Sequence, residues 1–155
     1  MSVELTPNGT RGLDLPPVAR AVIQALAPLN PLVYRLVGDR IRVQRRPLLL
    51  LSTAGARSGK RRQTMLAWFD DPRGTIVVAS NAGARRHPAW FFNLARNPDK
   101  VWMQRNGRTV KVRPESLHDA ERAAAWQRII TLSPAFAGYE ARTDRKIPVI
   151  RLVPE

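Results

Sequence analysis

Asn106-Gly107, set between two short β-like runs at residues 101–105 and 108–113, commits this chain to an antiparallel hairpin. The dipeptide suits the two left-handed central positions of a two-residue turn whose twist matches the strands that it joins. Antiparallel neighbours need no crossover helix, so the other apolar runs can be read as hairpin-linked strands. Residues 47–53 are unbroken apolar sequence up to Ser52-Thr53, residues 63–69 and 75–80 flank an Asp-Asp-Pro-Arg-Gly turn, and residues 147–153 close the chain as a sixth strand. Helical spacing shows in residues 17–27, where Val18, Ala21, Val22, Ala25 and Leu26 recur opposite Arg20 and Gln24. Further helices are expected at 32–37, 88–96 and 117–132, with Pro28 and Pro31 breaking the first from the second. Residues 1–15 read as a flexible arm, because Pro, Gly, Asn and Thr interrupt any period, and residues 16–155 read as one domain opened by the amphipathic helix. The expected class is mainly β (α+β): a small antiparallel barrel with flanking helices.

A chain of 155 residues can bury a real core unaided, and it contains no Cys. A disulfide framework, a Cys-ligated metal or iron–sulfur site and a thiolate nucleophile are thereby excluded, and no metal site is expected. The 26 Lys and Arg against 12 Asp and Glu give a net charge of +14, a field that draws nucleic acid, anionic lipid or a polyanionic small molecule. Arg40, Arg42, Arg45 and Arg46 precede the first strand; Arg57, Lys60, Arg61 and Arg62 fall in one glycine turn, and Arg85 and Arg86 in another. A nucleic-acid reader spreads such charges along a helix face or among exposed aromatics, so no nucleic-acid partner is expected. No secretory signal or membrane-spanning run stands out, and a cytoplasmic protein is the expectation. The helix at 17–27 either lies on the body of the domain or touches the inner face of the cell membrane peripherally.

Two segments carry the functional signal. Residues 52–62 (STAGARSGKRR) and 77–98 (VVASNAGARRHPAWFFNLARNP) each turn from an apolar run into a Gly-rich, basic loop. Peptide N–H groups freed by such turns, with Arg and Lys beside them, bind phosphate and carboxylate. Gly55, Gly59 and Lys60 are not a phosphate-binding Walker loop, since the spacing is one residue short and no helix follows. The plain alternative is a tight turn and nothing more. His87, ahead of a helix-starting Pro, reads as a capping or surface residue, and Phe91 and Phe92 as core.

Gly55 to Lys60 (GARSGK), Ala79 to Ala84 (ASNAGA), His87 to Trp90 (HPAW), Asn93 to Pro98 (NLARNP) and Thr143 to Val149 (TDRKIPV) together resemble the deazaflavin-dependent nitroreductase family, in matching order from about Leu48 to Pro154. The resemblance implies a split β-barrel of the FMN-binding, flavin-reductase type. It also implies reduced coenzyme F420 as hydride donor, in preference to FMN, and a hydrophobic acceptor: a quinone, an activated alkene or a nitroaromatic. Cofactor contacts would come from Gly55, Arg57, Ser58, Gly59, Lys60, Arg62 and Thr64, then from Val78, Ala79, Ser80, Asn81, Ala82 and Gly83, with Trp90 and Asn93 walling the pocket. Ser133, Phe136 and Tyr139 would face the acceptor, and Tyr139 or Ser80 would position it or donate a proton. Nitroimidazole-reducing relatives hold several tyrosines in this last segment, whereas here only Tyr139 remains. A family member that binds flavin or lipid without turnover is the alternative, ahead of a basic nucleic-acid-binding module.

Overall fold

The computed structural model describes residues 2–38 and 40–155. Helices α1 (Pro17–Leu26) and α2 (Asn30–Val37) precede strands β1 (Arg42–Val43), β2 (Arg46–Ala54), β3 (Arg61–Ala67), β4 (Phe69–Asp71) and β5 (Gly74–Val78). Helix α3 (Ala89–Arg96), the β6 (Trp102–Arg105) and β7 (Arg108–Ser116) hairpin, helices α4 (Asp119–Leu132) and α5 (Ala135–Arg142) and strand β8 (Val149–Pro154) complete the chain. The strands run β1-β2-β6-β7-β8-β5-β4, antiparallel throughout, with β3 on β2. Only Trp68 separates β3 from β4, so one stretch of chain pairs with β2 at one end and with β5 at the other. The sheet therefore curls back on itself as an antiparallel half-barrel with flanking helices, the expected class.

Strand β2 is apolar on both faces because both are covered. Leu49 and Leu51 enter the main core with Val77, Ile150, Leu152, Phe91 and Leu94, while Leu48 and Leu50 pack against Tyr34 of α2. Helix α3 sends Trp90, Phe91 and Leu94 into that main core. A second cluster packs α4 and α5, through Trp126, Ile129 and Phe136, on Phe69, Ile76, Val78 and Val149. Strand β5 thus also buries both faces, as a continuous apolar run demands.

Several boundaries differ from the sequence expectation. Pro28 and Pro31 do not separate two helices: each sits in the first turn of the next helical segment, where no N–H is required, and a 3-10 turn at Ala27–Leu29 carries α1 into α2. The fourth helix begins at Asp119, not at residue 117, because His118 is extended. Strand β1 and helix α5 were not expected, one being two residues long and the other short with Gly138, a poor helix former, at its centre. Residues 2–15 form no helix, yet Val3 is buried in the main core, Gly9 N–H donates to Arg85 O (2.9 Å), and Leu13 donates its N–H to Gly83 O (3.1 Å) and accepts Arg85 N–H (3.2 Å). Met1 of that arm lies outside the described residues.

An ionic network of three arginines (Arg73, Arg128 and Arg151) and three carboxylates (Asp71, Glu115 and Glu121) ties β4, β7 and β8 to α4. Arg151 of β8 forks onto Asp71 (2.7 and 3.1 Å), reaches Glu115 (3.0 Å) and pairs with Glu121. Burial is the largest single influence on Asp71 and opposes its ionisation, but the Arg151 hydrogen bonds, the Arg73 N–H and the charges of Arg151 and Arg128 together outweigh it and hold the carboxyl below its usual range.

Candidate cofactor-binding site

The loop between β2 and β3 is built from its own backbone outward. Gly55 N–H donates to Lys60 O (2.8 Å) and Gly59 N–H to Gly55 O (2.9 Å), while Gly59 takes φ of +68°, which a side chain would strain. Helix α3 then clamps it. Asn93, 6 % exposed, accepts from Ala56 N–H (2.9 Å) and donates to Thr53 Oγ1 (3.0 Å), and Asn97 donates to the carbonyls of Ala54 (3.2 Å) and Gly55 (3.4 Å). Asn93 is therefore engaged in holding the turn. Arg57, Ser58, Gly59, Lys60 and Arg62 are exposed, and among the described residues neither Arg57, Lys60, Arg61 nor Arg62 forms an ion pair.

Strand parity sorts these charges. Thr53, Leu51 and Leu49 of β2 face Arg62, Thr64 and Leu66 of β3, so Arg62 and half-buried Thr64 share the face that leads to the barrel core. A Cβ on Gly55 would meet Ser58 Oγ at 2.7 Å, so Gly lets the Ser58 hydroxyl close over the turn, and it would lie in ordinary contact with Arg62 Nε at 3.8 Å.

The second turn follows β5. Ala79 is fully buried, Val78 belongs to the α4 cluster, and Ser80 is buried where the chain enters a 3-10 turn at Asn81–Gly83. Asn81, Ala82 and Gly83 all have positive φ (45, 53 and 76°), a strained run for two side-chain-bearing residues. Arg145 holds it. Its guanidinium, 5 % exposed, donates to Ala84 O (2.8 Å), Ala79 O (3.0 Å), Ser80 O (2.5 Å) and His87 Nδ1 (3.1 Å). Since Arg145 can only donate, His87 Nδ1 accepts and Nε2 carries the proton toward Pro7 O (3.1 Å) or Thr6 Oγ1 (3.2 Å). His87 is thus a buried linker, not the capping or surface residue expected; burial first, and then the Arg145 charge, depress its pKa. The arm is tied to the same place, because Asp144 accepts Thr10 N–H (2.8 Å), Arg11 N–H (2.9 Å) and the Thr10 hydroxyl.

Helix α5 lies on the second turn: a Cβ on Gly83 would be 2.8 Å from Tyr139 O. Tyr139 is half-buried, stacks edge-on against Phe136 (5.5 Å between centroids) and accepts a hydrogen bond from the Gln44 side-chain amide. Ser133, 1 % exposed, donates to Gln44 O (2.7 Å), and Phe136 is buried in the second cluster. Trp90 likewise lies in the main core at 8 % exposure. The structure accordingly holds Gly55 to Arg62 against α3 through Asn93, and Ser80 to Gly83 against α5, which carries Tyr139, with Trp90, Ser133 and Phe136 packed in the cores behind. Sequence reasoning gives no role to Arg145, Asn97 or Thr53, although each lies in a segment singled out above; their part shows only once the partners meet. A cleft of about 350 Å³ lined by Arg46, Phe69, Ile76, Arg128, Ile129 and Leu132 among others is separate from both glycine turns. Among the described residues no cluster of acidic and His side chains is fit to hold a metal.

Comparison with known proteins points to one chemistry. Residues 32–154 match the F420H(2)-dependent quinone reductase family. An F420H(2)-dependent quinone reductase of Mycobacterium tuberculosis is 38 % identical over 135 residues, which span 82 % of this chain and 89 % of that one. A solved F420-H2 dependent reductase superposes with a TM-score of 0.62 at 34 % identity, covering 69 % of this chain and 94 % of its own. A structure described as a domain-swapped dimer gives a TM-score of 0.63 at 30 % identity over 88 % of this chain and 99 % of that one.

Proposed function

We infer that this chain, which belongs to the F420H(2)-dependent quinone reductase family, is an oxidoreductase using reduced coenzyme F420 and that its acceptor is a hydrophobic quinone. The observation that carries the reading is the clamped first turn. Its cations, Arg57, Lys60 and Arg62, have no protein counter-ion among the described residues, and the backbone beneath them is fixed by Asn93 and Asn97. A phosphate and a glutamate tail fit such a rim by charge-assisted hydrogen bonds, and the residues present suit the cofactor.

When bound, reduced coenzyme F420 supplies the hydride. The protein's residues do the rest. Arg57, Lys60 and Arg62 hold the anionic end, Ser80 to Gly83 give the ring a rigid backbone edge, and Thr64 lies on the same face as Arg62. A quinone that accepts a hydride is left with an anionic oxygen and needs one proton to become the hydroquinone. Tyr139 is the donor that we assign, and one contact supports it: its hydroxyl oxygen accepts from Gln44, which leaves its own proton free to be donated. Ser133 and Phe136 hold Gln44 and the Tyr139 ring in place.

A peripheral membrane contact suits a lipid-soluble acceptor. No described helix is long and apolar enough to cross a membrane. Helix α1 nevertheless buries no residue, and Val18, Val22, Ile23, Leu26, Leu32 and Leu36 are all more than half exposed. No acidic residue lies between residues 15 and 38, while Arg20 and Arg35 lie within and Arg40, Arg42 and Arg45 follow. Each such charge near an anionic surface contributes about 1 kcal/mol.

The test is turnover of reduced coenzyme F420 with quinone, enone and nitroaromatic acceptors, with and without anionic vesicles. Quinone turnover enhanced by vesicles for a long-chain quinone alone is the expected result. Turnover confined to enones or nitroaromatics would replace the acceptor, and no retention on anionic vesicles at low salt would remove the membrane contact.

A further inference from the structure

We propose that Arg145 is a positioning residue for the ring of the bound deazaflavin: by drawing the Ala79 and Ser80 carbonyls inward it turns the N–H groups of Ser80 and Asn81 outward, and by holding the Ala84 carbonyl it anchors the turn that sets Ala82 N–H beside them as an anion-accepting nest. The inference rests on the cofactor reading above.

The geometry follows from peptide planarity. In a trans peptide the C=O and the next N–H point in opposite directions, and no cis bond occurs among the described residues. The Ala79 and Ser80 carbonyls face the guanidinium at 3.0 and 2.5 Å, so Ser80 N–H and Asn81 N–H face away from it. The Asn81 carbonyl accepts Ala84 N–H (2.9 Å), which likewise turns Ala82 N–H aside. Among the described residues none of these three N–H groups has a protein acceptor. Ser80 is right-handed helical (φ −73°) and Asn81 left-handed (φ 45°), the alternation that makes successive N–H groups converge on one anion or carbonyl oxygen.

The conformation is not the relaxed choice for this sequence. Asn81 and Ala82 bear side chains at positive φ, where a purely structural turn would use Gly. Arg145 stabilises that strain from below, and among the described residues no carboxylate pairs with it. The oxygen-bearing pyrimidine edge of a deazaflavin, where negative charge collects on reduction, is the group that such a nest recognises. The N-terminal arm braces the turn from outside: a Cβ on Gly12 would lie 2.6 Å from Arg85 N and 2.7 Å from Gly83 O.

The experiment separates ring from tail. Coenzyme F420 and deazariboflavin, which has the ring and sugar chain without phosphate or glutamate, are titrated into the wild-type chain, Arg145→Lys and Arg57→Ala by fluorescence. Backbone amide exchange of Ser80, Asn81 and Ala82 is recorded in the wild type with and without deazariboflavin. Arg145→Lys, which keeps the charge but loses the fork, should weaken both ligands by the same factor of about ten or more. Arg57→Ala should weaken coenzyme F420 only, and the three amides should exchange more slowly in the complex. Unchanged affinity in folded Arg145→Lys, or amides left unprotected in a wild-type complex, overturns the proposal; the second result decides it even if the variant does not fold. A wild-type chain that binds neither ligand refutes the cofactor reading itself, and the nest with it.

Discussion

Replacing Asn93 with Leu isolates the clamp on which the candidate site depends. The side chain is 6 % exposed and makes two bonds of 2.9 and 3.0 Å, to Ala56 N–H and Thr53 Oγ1. Each such bond contributes about 1 kcal/mol net, and a donor left buried without a partner costs about 1–3 kcal/mol. Leu fills similar space, so the expected loss is about 2–4 kcal/mol, or roughly 5–15 °C in melting temperature for a chain of this size. Cofactor affinity of the folded fraction should fall several-fold as well, because the turn that carries Arg57 and Lys60 is no longer pre-organised. Thermal unfolding and fluorescence titration measure the two effects. Arg96→Ala, on an exposed face of the same helix, is the control and should change stability by less than about 0.5 kcal/mol. An Asn93→Leu chain that melts within about 2 °C of the wild type and binds cofactor equally well would show that the clamp does not hold the turn.

Three further outcomes follow from the same contacts. Neutralising Arg57, Lys60 or Arg62 singly should weaken coenzyme F420 by about tenfold to a hundredfold while the melting temperature of the free protein barely moves; unfolding with intact affinity in the folded fraction would make these residues structural. His87 is held neutral, with a folded pKa below its ordinary 6.5, so the unfolded chain binds the extra proton first and stability should decline as pH falls from about 6.5 toward the lower folded value; a His87→Gln chain whose acid slope matches the wild type would contradict this. Arg151→Met would leave buried Asp71 and Glu115 with only the longer pairs to the half-exposed Arg128 (3.6 Å) and Arg73 (3.5 Å), at a cost of up to about 3 kcal/mol or roughly 6–12 °C in a melting experiment. A melting temperature within about 2 °C of the wild type would mean that the network is not made.

Much of the strand pattern was legible because it is local. Asn106-Gly107 sets a hairpin by its own backbone preference, and both residues do sit at positive φ (49 and 75°). The closure of the sheet was not legible, since it depends on one residue, Trp68, between two strands that pair with opposite edges. The basic first turn could be read from Gly and Arg spacing, whereas the side chains that fix it come from α3, some forty residues later. Arg145 is the sharper case. Its segment, TDRKIPV, carries part of the family resemblance, yet nothing in that segment says what the arginine holds; only folding buries it under carbonyls contributed by residues 79, 80 and 84. Ser133 and Phe136 show the reverse error of scale: sequence position suggests the acceptor pocket, and the fold turns both inward to support Gln44 and Tyr139.

The central claim is that the two glycine turns form a site for a deazaflavin. Direct titration of the purified chain with coenzyme F420 and with FMN, each followed by fluorescence, tests it most simply. Both redox forms of coenzyme F420 should bind far more tightly than FMN. FMN affinity equal to or greater than that for coenzyme F420 would contradict it.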